Sequence, residues 1–172
     1  MRELVIIGIG NPWRRDDGVG PEVIRAIARC MPGVRTVTLT YPDPAVLLPL
    51  WQRVRTCIVV DAVACTYAPP GTIIRWFLGG EGFSMGNVRG VSTHGWRLGE
   101  TLRLAFQMGC MPERMIVYGI VGETFAYGYG LSRRVARAVP LVVRWIRTDG
   151  YVTQRSSRRS ATASNGATRT SA

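Results

Sequence analysis

The stretch LVIIGIGNPWRRDDGVGPEV, Leu4 to Val23, decides the fold. Its first four residues, Leu4 to Ile7, are all apolar, so a strand formed there is apolar on both of its alternating faces. Such a strand is typical of a parallel sheet buried between two layers of helices. Gly8 to Gly18 then forms the loop at its carboxyl end. Pro21 suits the first turn of a helix, which Pro32-Gly33 ends. This stretch therefore predicts strand, loop and helix in that order.

The rest of the chain repeats the alternation of apolar runs and helical periodicity. The further predicted strands are Val34–Leu39, Cys57–Val60, Thr72–Phe77 and Met115–Ile120, and the further predicted helices are Ala45–Arg53, His94–Met108 and Ser132–Arg147. We expect Thr72–Phe77 to lie nearer an edge, and the glycine-rich segment Gly79–Gly90 to be a mobile loop. The pattern predicts a three-layer α/β/α sandwich with a mostly parallel sheet of about five strands.

Length and composition indicate a single domain. The 172 residues are 47% hydrophobic, which is enough for one sizeable core. We expect this domain to cover residues 1–150. The Arg/Ser/Thr-rich tail, residues 151–172, cannot build a core and is predicted to be disordered. No apolar run approaches the ~20 residues that span a bilayer, and the N-terminus does not resemble a signal peptide. The sequence therefore predicts a cytoplasmic protein with no membrane partner, and its four cysteines are expected to be reduced and mostly buried.

The formal net charge of +11 raises the possibility of a nucleic-acid partner. All 22 basic residues are arginine, which indicates a bias across the whole chain. The arginines are scattered, without the aromatic and basic stripe that binds single-stranded nucleic acid, so no nucleic-acid partner is expected. An acidic protein partner explains the charge as well as RNA does. The absence of lysine excludes a Walker-type phosphate loop and a Schiff-base lysine.

Nucleotide binding and covalent catalysis are both disfavoured. The pair Gly8-x-Gly10 lacks the third glycine of a dinucleotide loop, because Trp13 stands there. No acidic residue ends the second predicted strand near Leu39, where a ribose partner would be expected. Cys65 lies in no recognised catalytic cysteine signature, and a Gly-x-Ser-x-Gly elbow is absent. We therefore expect no nucleotide cofactor and no enzyme nucleophile.

Three polar residues are expected at one edge of the predicted sheet. They are Asp17 in the loop after the first strand, Asp61 at the tip of the third, and His94, the only histidine, near the start of a helix. Ligands of open α/β sheets bind beyond the carboxyl ends of the strands, so these side chains form the candidate site. Neighbouring carboxylates usually point apart, so only one of Asp16 and Asp17 is expected to contact a ligand directly. Asp16 is expected to cap the following helix or to orient the loop.

An imidazole with two carboxylates suits a hard-to-borderline metal such as nickel, zinc, manganese or iron. The same three groups could instead form a metal-free acid/base site. No compact HExxH or CxxC motif is present to decide between these two alternatives.

Three motifs together resemble the nickel-iron hydrogenase maturation endopeptidases. They are GIGNPWRRDDGVGPEV, IVVDAV ending the third strand on Asp61, and VSTHGWRLGE with His94, in the family's order and at similar separations. The resemblance extends over Met1 to Gly150. The segment TYPDPAVLL, Thr40 to Leu48, departs from the Asp-Gly-Gly-Thr-like segment of many members and looks like the branch that serves soluble, cofactor-linked hydrogenases.

This resemblance implies an endopeptidase that removes a C-terminal extension from the large-subunit precursor of a hydrogenase after nickel insertion. It also implies that Asp17, Asp61 and His94 form the metal and catalytic site and engage nickel carried by the precursor. The first-motif position is an aspartate or a glutamate in the family. With no nucleophile present, we expect metal-assisted hydrolysis by a monomer. The alternative is a non-catalytic checkpoint module that binds the nickel-loaded precursor without cutting it.

Overall fold

A computed structural model describes residues 2–78 and 97–164, with side chains for 4–78 and 98–150. The strands are β1 (Arg2–Ile9), β2 (Arg35–Leu39), β3 (Val54–Val63), β4 (Ile73–Leu78) and β5 (Arg114–Val121). The helices are α1 (Val19–Cys30), α2 (Pro44–Trp51), α3 (Arg97–Gln107) and α4 (Arg133–Ser164), and a 3₁₀ helix spans Arg15–Gly18. Within these ranges, no helix combines the length and the apolar character needed to cross a membrane.

The strands form one sheet in the order β2-β1-β3-β5-β4. β4 is an edge strand and runs antiparallel to β5, whereas all other pairs are parallel. The predicted mostly parallel, five-stranded α/β sandwich is confirmed, as is the edge position of the fourth strand. After β1 the chain continues to β2 on one side of the sheet, and after β3 it continues towards β5 on the other. The gap between β1 and β3 is therefore the topological switch point, where ligands of open α/β sheets bind.

The central strand β3 shows why the sequence gives a three-layer structure. Cys57 and Val59 pack in the core cluster that α2 and α3 cover, whereas Ile58 and Val60 pack in the cluster covered by α1 and α4. Side chains alternate between the faces of a strand, so a continuous apolar run supplies both cores at once. Burial of each such side chain stabilises the fold by about 1.5–3 kcal/mol.

Several predicted boundaries were too narrow. β1 continues through Gly8 and Ile9, so the predicted loop begins later and contains the 3₁₀ helix. β3 continues past Asp61 to Val63 because its pairing with β5 extends to that residue, so Asp61 lies inside the strand and not at its tip. The helix predicted to end at Arg147 extends to Ser164.

The remaining predictions concern the cysteines, the C-terminal tail, the glycine-rich segment and His94. The four cysteines are free thiols, as predicted, but only Cys57 and Cys110 are buried, whereas most were expected to be. The division into a domain of residues 1–150 and a tail of residues 151–172 remains a prediction. The backbone of this tail, predicted to be disordered, is helical as far as Ser164, and residues 165–172 lie outside the described residues. Gly79–Gly90, predicted to be a mobile loop, and His94, predicted to begin a helix, lie outside the described residues.

Candidate functional site

The Gly-x-Gly at the end of β1, Gly8 to Gly10, brings the chain close to α1. Gly10 has a φ of 138°, and a Cβ atom there would lie 1.8 Å from the main-chain oxygen of Asp17. A Cβ atom at Gly8 would lie 2.5 Å from the oxygen of Gly20, in α1. These positions require glycine for conformation and for close approach respectively, and no phosphate is needed to explain them. The loop is thereby folded back so that Asp17 comes next to the end of β1.

Asp16 is completely buried and fastens this loop to the segment between β5 and α4. Its Oδ2 accepts the main-chain N–H groups of Glu123 at 2.8 Å and Thr124 at 3.1 Å. Its Oδ1 accepts the N–H of Ser132, just before α4, at 2.6 Å. A buried carboxylate is tolerated when hydrogen bonds replace its lost hydration, and these three do so. Asp16 therefore orients the loop, one of its two predicted roles, and it holds the start of α4 and not that of α1.

Asp17 is half-buried and points to a different partner. Its Oδ2 accepts the main-chain N–H of Asn11 at 3.0 Å. Among the residues that the structure describes, Oδ1 of Asp17 accepts no hydrogen bond. The neighbouring carboxylates of Asp16 and Asp17 thus have separate partners, and Asp17 is the one with an oxygen left for a ligand.

Asp61 lies in β3 and is only 7% exposed. It alternates with Val59 and Val63, so its side chain is on the face covered by α2 and α3. Its partner in the β5 register is Gly119, and a Cβ atom there would lie 2.6 Å from the ring of Trp76. The indole of Trp76 therefore covers the neighbouring strand beside Asp61. A carboxylate in such apolar surroundings is costly unless it meets a cation or a hydrogen-bond donor.

The two aspartates come to the same end of the sheet. The 3₁₀ helix that contains Asp17 lies against β3, which contains Asp61. Both residues flank the switch point between β1 and β3. α3 begins at Arg97, three residues after His94 in the sequence, and packs on the face to which Asp61 belongs. The position of His94 is outside the described ranges, so the three-residue site remains a prediction. Within those ranges, no group of three His, Cys, Asp or Glu side chains could hold a metal ion.

The thiols offer no competing nucleophile in the cores. Cys57 and Cys110 are buried. Burial raises the pKa of the Cys57 thiol far above its ordinary value, and thiolate is the nucleophilic form. Cys57 is therefore a structural residue of β3.

A surface of aromatic and arginine side chains next to Asp17 was not predicted from the sequence. It consists of Trp13, Arg14 and Arg15 in the loop after β1, and Tyr127 and Tyr129 in the loop after β5, and we call these five residues the rim. Gly128 joins the two loops, because its N–H donates to the oxygen of Trp13 and its oxygen accepts the N–H of Arg15, both at 2.9 Å. The only sequence signal was the segment FAYGYG, Phe125 to Gly130, where aromatic residues follow a buried strand.

Comparison with known proteins gives the family. The family model described as hydrogenase maturation protease matches residues 43–148, which is more than half of the chain. The chain belongs to the hydrogenase maturation protease family. The predicted resemblance and the predicted class of enzyme, a hydrolase of the protease type, are thereby confirmed. The matched residues include Asp61 and the position of His94, and they begin after Asp17.

Solved structures of hydrogenase maturation proteases share the fold. HybD of Escherichia coli, a hydrogenase maturating endopeptidase, has 21% identity and a TM-score of 0.66, with 87% of this chain and 94% of that chain covered. HybD of Thermococcus kodakarensis, a [NiFe] hydrogenase maturation protease, has 23% identity and a TM-score of 0.67, with coverage of 86% and 98%. The endopeptidase HycI of Escherichia coli has 21% identity and a TM-score of 0.61, with coverage of 83% and 87%. No curated protein matches the chain.

Proposed function

We propose that this maturation protease removes the C-terminal extension of a nickel-iron hydrogenase large-subunit precursor after nickel has been inserted. The observation that carries the proposal is the pair of carboxylates, Asp17 and Asp61, at the switch point of a maturation-protease fold. Asp17 is partly open to solvent and has one oxygen that accepts no hydrogen bond from the described residues, whereas Asp61 is buried beside an indole. Carboxylate oxygens and an imidazole are donors that nickel accepts.

In this proposal nickel arrives as part of the substrate. Asp17, Asp61 and His94 bind it from the enzyme side, so only a nickel-loaded precursor fits the site. Burial of Asp61 strengthens this attraction because few water molecules compete with the metal for its carboxylate. The protein thereby distinguishes a finished active centre from an empty one.

Hydrolysis then needs no covalent intermediate. A water molecule adds to the scissile carbonyl carbon, and a site carboxylate takes the proton that this water loses. The metal lowers the free energy of the negative charge that develops on the carbonyl oxygen. The proton passes to the departing amine, so the products are a new C-terminal carboxylate and a free peptide. Asp17 is the candidate base because it is the more accessible of the two aspartates.

The proposal also covers the protein's location, oligomeric state and partners. We infer that it acts in the cytoplasm as a monomer, with the precursor as its partner, and without a nucleotide, nucleic acid or membrane. Size-exclusion chromatography with light scattering measures the molar mass in solution and so tests whether the protein is a monomer.

The experiment that tests the proposal is incubation of the purified protein with nickel-loaded precursor, followed by mass spectrometry of the precursor. A mass loss that corresponds to a C-terminal peptide supports the endopeptidase. Nickel-free precursor serves as the control and is expected to stay intact. Binding of the loaded precursor without any mass loss would instead identify the non-catalytic checkpoint module.

A further inference from the structure

The rim exposes three large aromatic side chains close to one another. Trp13 is 66% exposed, Tyr127 is 88% exposed and Tyr129 is 60% exposed. Single exposed aromatic residues are common, but adjoining ones expose a continuous apolar surface to water. Trp13 and Tyr129 have their ring centroids 5.5 Å apart at an angle of 52°, and the guanidinium carbon of Arg14 lies 6.0 Å from the ring centroid of Tyr127.

Two sets of contacts hold the rim in place: the hydrogen bonds of buried Asp16 and the main-chain and side-chain contacts between the two loops. Buried Asp16 fastens the two loops together, and a β-bridge pairs Arg14 with Gly128. The guanidinium of Arg14 donates to the oxygen of Phe125 at 3.3 Å, and that of Arg15 donates to the oxygen of Tyr129 at 3.2 Å. A surface ordered in advance loses little conformational entropy when a partner binds.

The rim carries positive charge. Both of its arginines donate to neutral carbonyl groups, and neither forms an ion pair with a carboxylate within the described parts of the chain. Arg133 and Arg134 are exposed at the start of α4, directly after the residue that Asp16 holds. Glu123 is the exposed acidic residue of the intervening loop. Arginines therefore outnumber acidic residues around the rim, and a partner with carboxylates complements it.

We propose that the rim binds the substrate polypeptide beside the scissile bond, and that its occupant is an acidic segment of the precursor that also carries apolar side chains. This inference rests on the proposed function. Trp13 and Asp17 belong to one short loop, so a polypeptide that reaches Asp17 passes next to the rim. The rings of Trp13 and Tyr129 are inclined at 52° to each other, whereas a platform for single-stranded nucleic acid presents flat ring faces to successive bases. Aromatic residues and arginine also dominate the energetics of protein interfaces.

The test uses two rim variants, Trp13→Ala and Arg14→Glu, and two matched controls at the other end of the sheet, Phe77→Ala and Arg29→Glu. Phe77 is an exposed aromatic residue under Arg75, and Arg29 is exposed in the last turn of α1. For each protein, kcat and KM are measured with nickel-loaded precursor. Kd is measured with a synthetic peptide that spans the precursor's C-terminal extension and the residues before it.

We expect KM and Kd to rise about tenfold or more in both rim variants, with kcat within about twofold of the wild type. The controls should match the wild type. The wild-type Kd should also rise with salt, and this dependence should weaken in Arg14→Glu. The rim variants lose only exposed contacts and keep the buried bonds of Asp16, so the temperature of thermal unfolding should shift by no more than a few degrees, which separates binding from folding.

The measurements distinguish a failure of the rim proposal from a failure of the proposed protease function. Cleavage by the wild type with unchanged KM and Kd in both rim variants would overturn the rim and leave the protease standing. Peptide binding that depends on the rim, without cleavage of the precursor, would support the rim and remove the protease. A uridine oligonucleotide is the third probe. If the rim variants lose oligonucleotide binding but keep peptide binding, the occupant is nucleic acid and the inference is wrong.

Discussion

The carboxylate of Asp16 accepts the main-chain N–H of Ser132 at 2.6 Å, across 116 positions of the chain. This bond joins the loop after β1 to the residue before α4. Asp17 follows Asp16 directly, so the same fastening determines where the Asp17 carboxylate can lie. The arrangement of the candidate site therefore depends on a buried residue that does not itself face a ligand.

Replacement of Asp16 by alanine should lower the free energy of unfolding by about 3 kcal/mol or more, because it leaves three main-chain N–H groups without their acceptor. Urea unfolding followed by circular dichroism measures this loss. Glu113→Ala removes only an exposed ion pair with Arg55 and should stay within about 0.5 kcal/mol of the wild type. A loss below about 1 kcal/mol in Asp16→Ala would mean that these bonds do not hold the loops.

Gly10 and Gly33 offer a matched pair for the close approach of the loop to Asp17. Both have positive φ, of 138° and 91°, but a Cβ atom at Gly33 meets nothing within 4 Å, whereas one at Gly10 overlaps the oxygen of Asp17. Gly33→Ala should cost about 1–2 kcal/mol for its backbone conformation alone. Gly10→Ala should cost clearly more in the same unfolding measurement and should reduce proteolysis. Equal losses in the two variants would contradict the proposed packing.

Tyr118 gives a prediction about pH. Burial raises the pKa of Tyr118 far above its ordinary value, and its hydrogen bond to Asp149 raises the pKa further. The folded protein thus keeps a proton that the unfolded chain loses above about pH 10. The stabilisation from Tyr118 is complete below that pH and declines as the pH rises further.

The free energy of unfolding is measured at about pH 8 and at about pH 11. It should decrease more between these two pH values in the wild type than in Tyr118→Phe, which has no phenol to ionise. The raised pKa of Cys57 acts in the same direction, but it is present in both proteins and cancels in the comparison. Equal pH dependence in the two proteins would show that Tyr118 is not protected from ionisation.

Two substitutions of Asp17 separate the contribution of its charge to cleavage from the contribution of its shape. Asp17→Glu should retain cleavage within about tenfold, because the longer side chain keeps a carboxylate at this position. Asp17→Asn keeps the shape but loses the charge and the base, so kcat/KM should fall by at least about a hundredfold. Similar rates in Asp17→Asn and the wild type would remove Asp17 from the mechanism.

Much of the fold could be predicted from local patterns. Runs such as Leu4–Ile7 and Cys57–Val60 are apolar on both faces, which is typical of a strand between two helical layers. The antiparallel direction of β4 was not foreseen, because direction depends on pairing with β5, which is remote in the sequence. The end of β3 was placed too early, since a charged residue such as Asp61 usually marks the end of a buried strand.

The candidate site was predictable only in part. That Asp17 and Asp61 lie near each other follows from the rule that the carboxyl ends of parallel strands meet at one edge of the sheet. That Asp16 orients the loop was one of its two predicted roles, but its partners could not be predicted. Glu123, Thr124 and Ser132 are more than 100 positions away and donate through main-chain groups common to almost every residue type. The rim was missed for the same reason, because its two loops become neighbours only in the folded protein.

The most direct test of the central claim is the rate of C-terminal mass loss of nickel-loaded precursor with wild-type protein, Asp61→Asn and His94→Ala, and with Glu113→Gln as the control. We expect Glu113→Gln to cut at the wild-type rate, and both site variants to be slower by at least about a hundredfold while they remain folded. Cleavage at the normal rate by either folded site variant would contradict the assignment of Asp17, Asp61 and His94 as the site of a maturation protease.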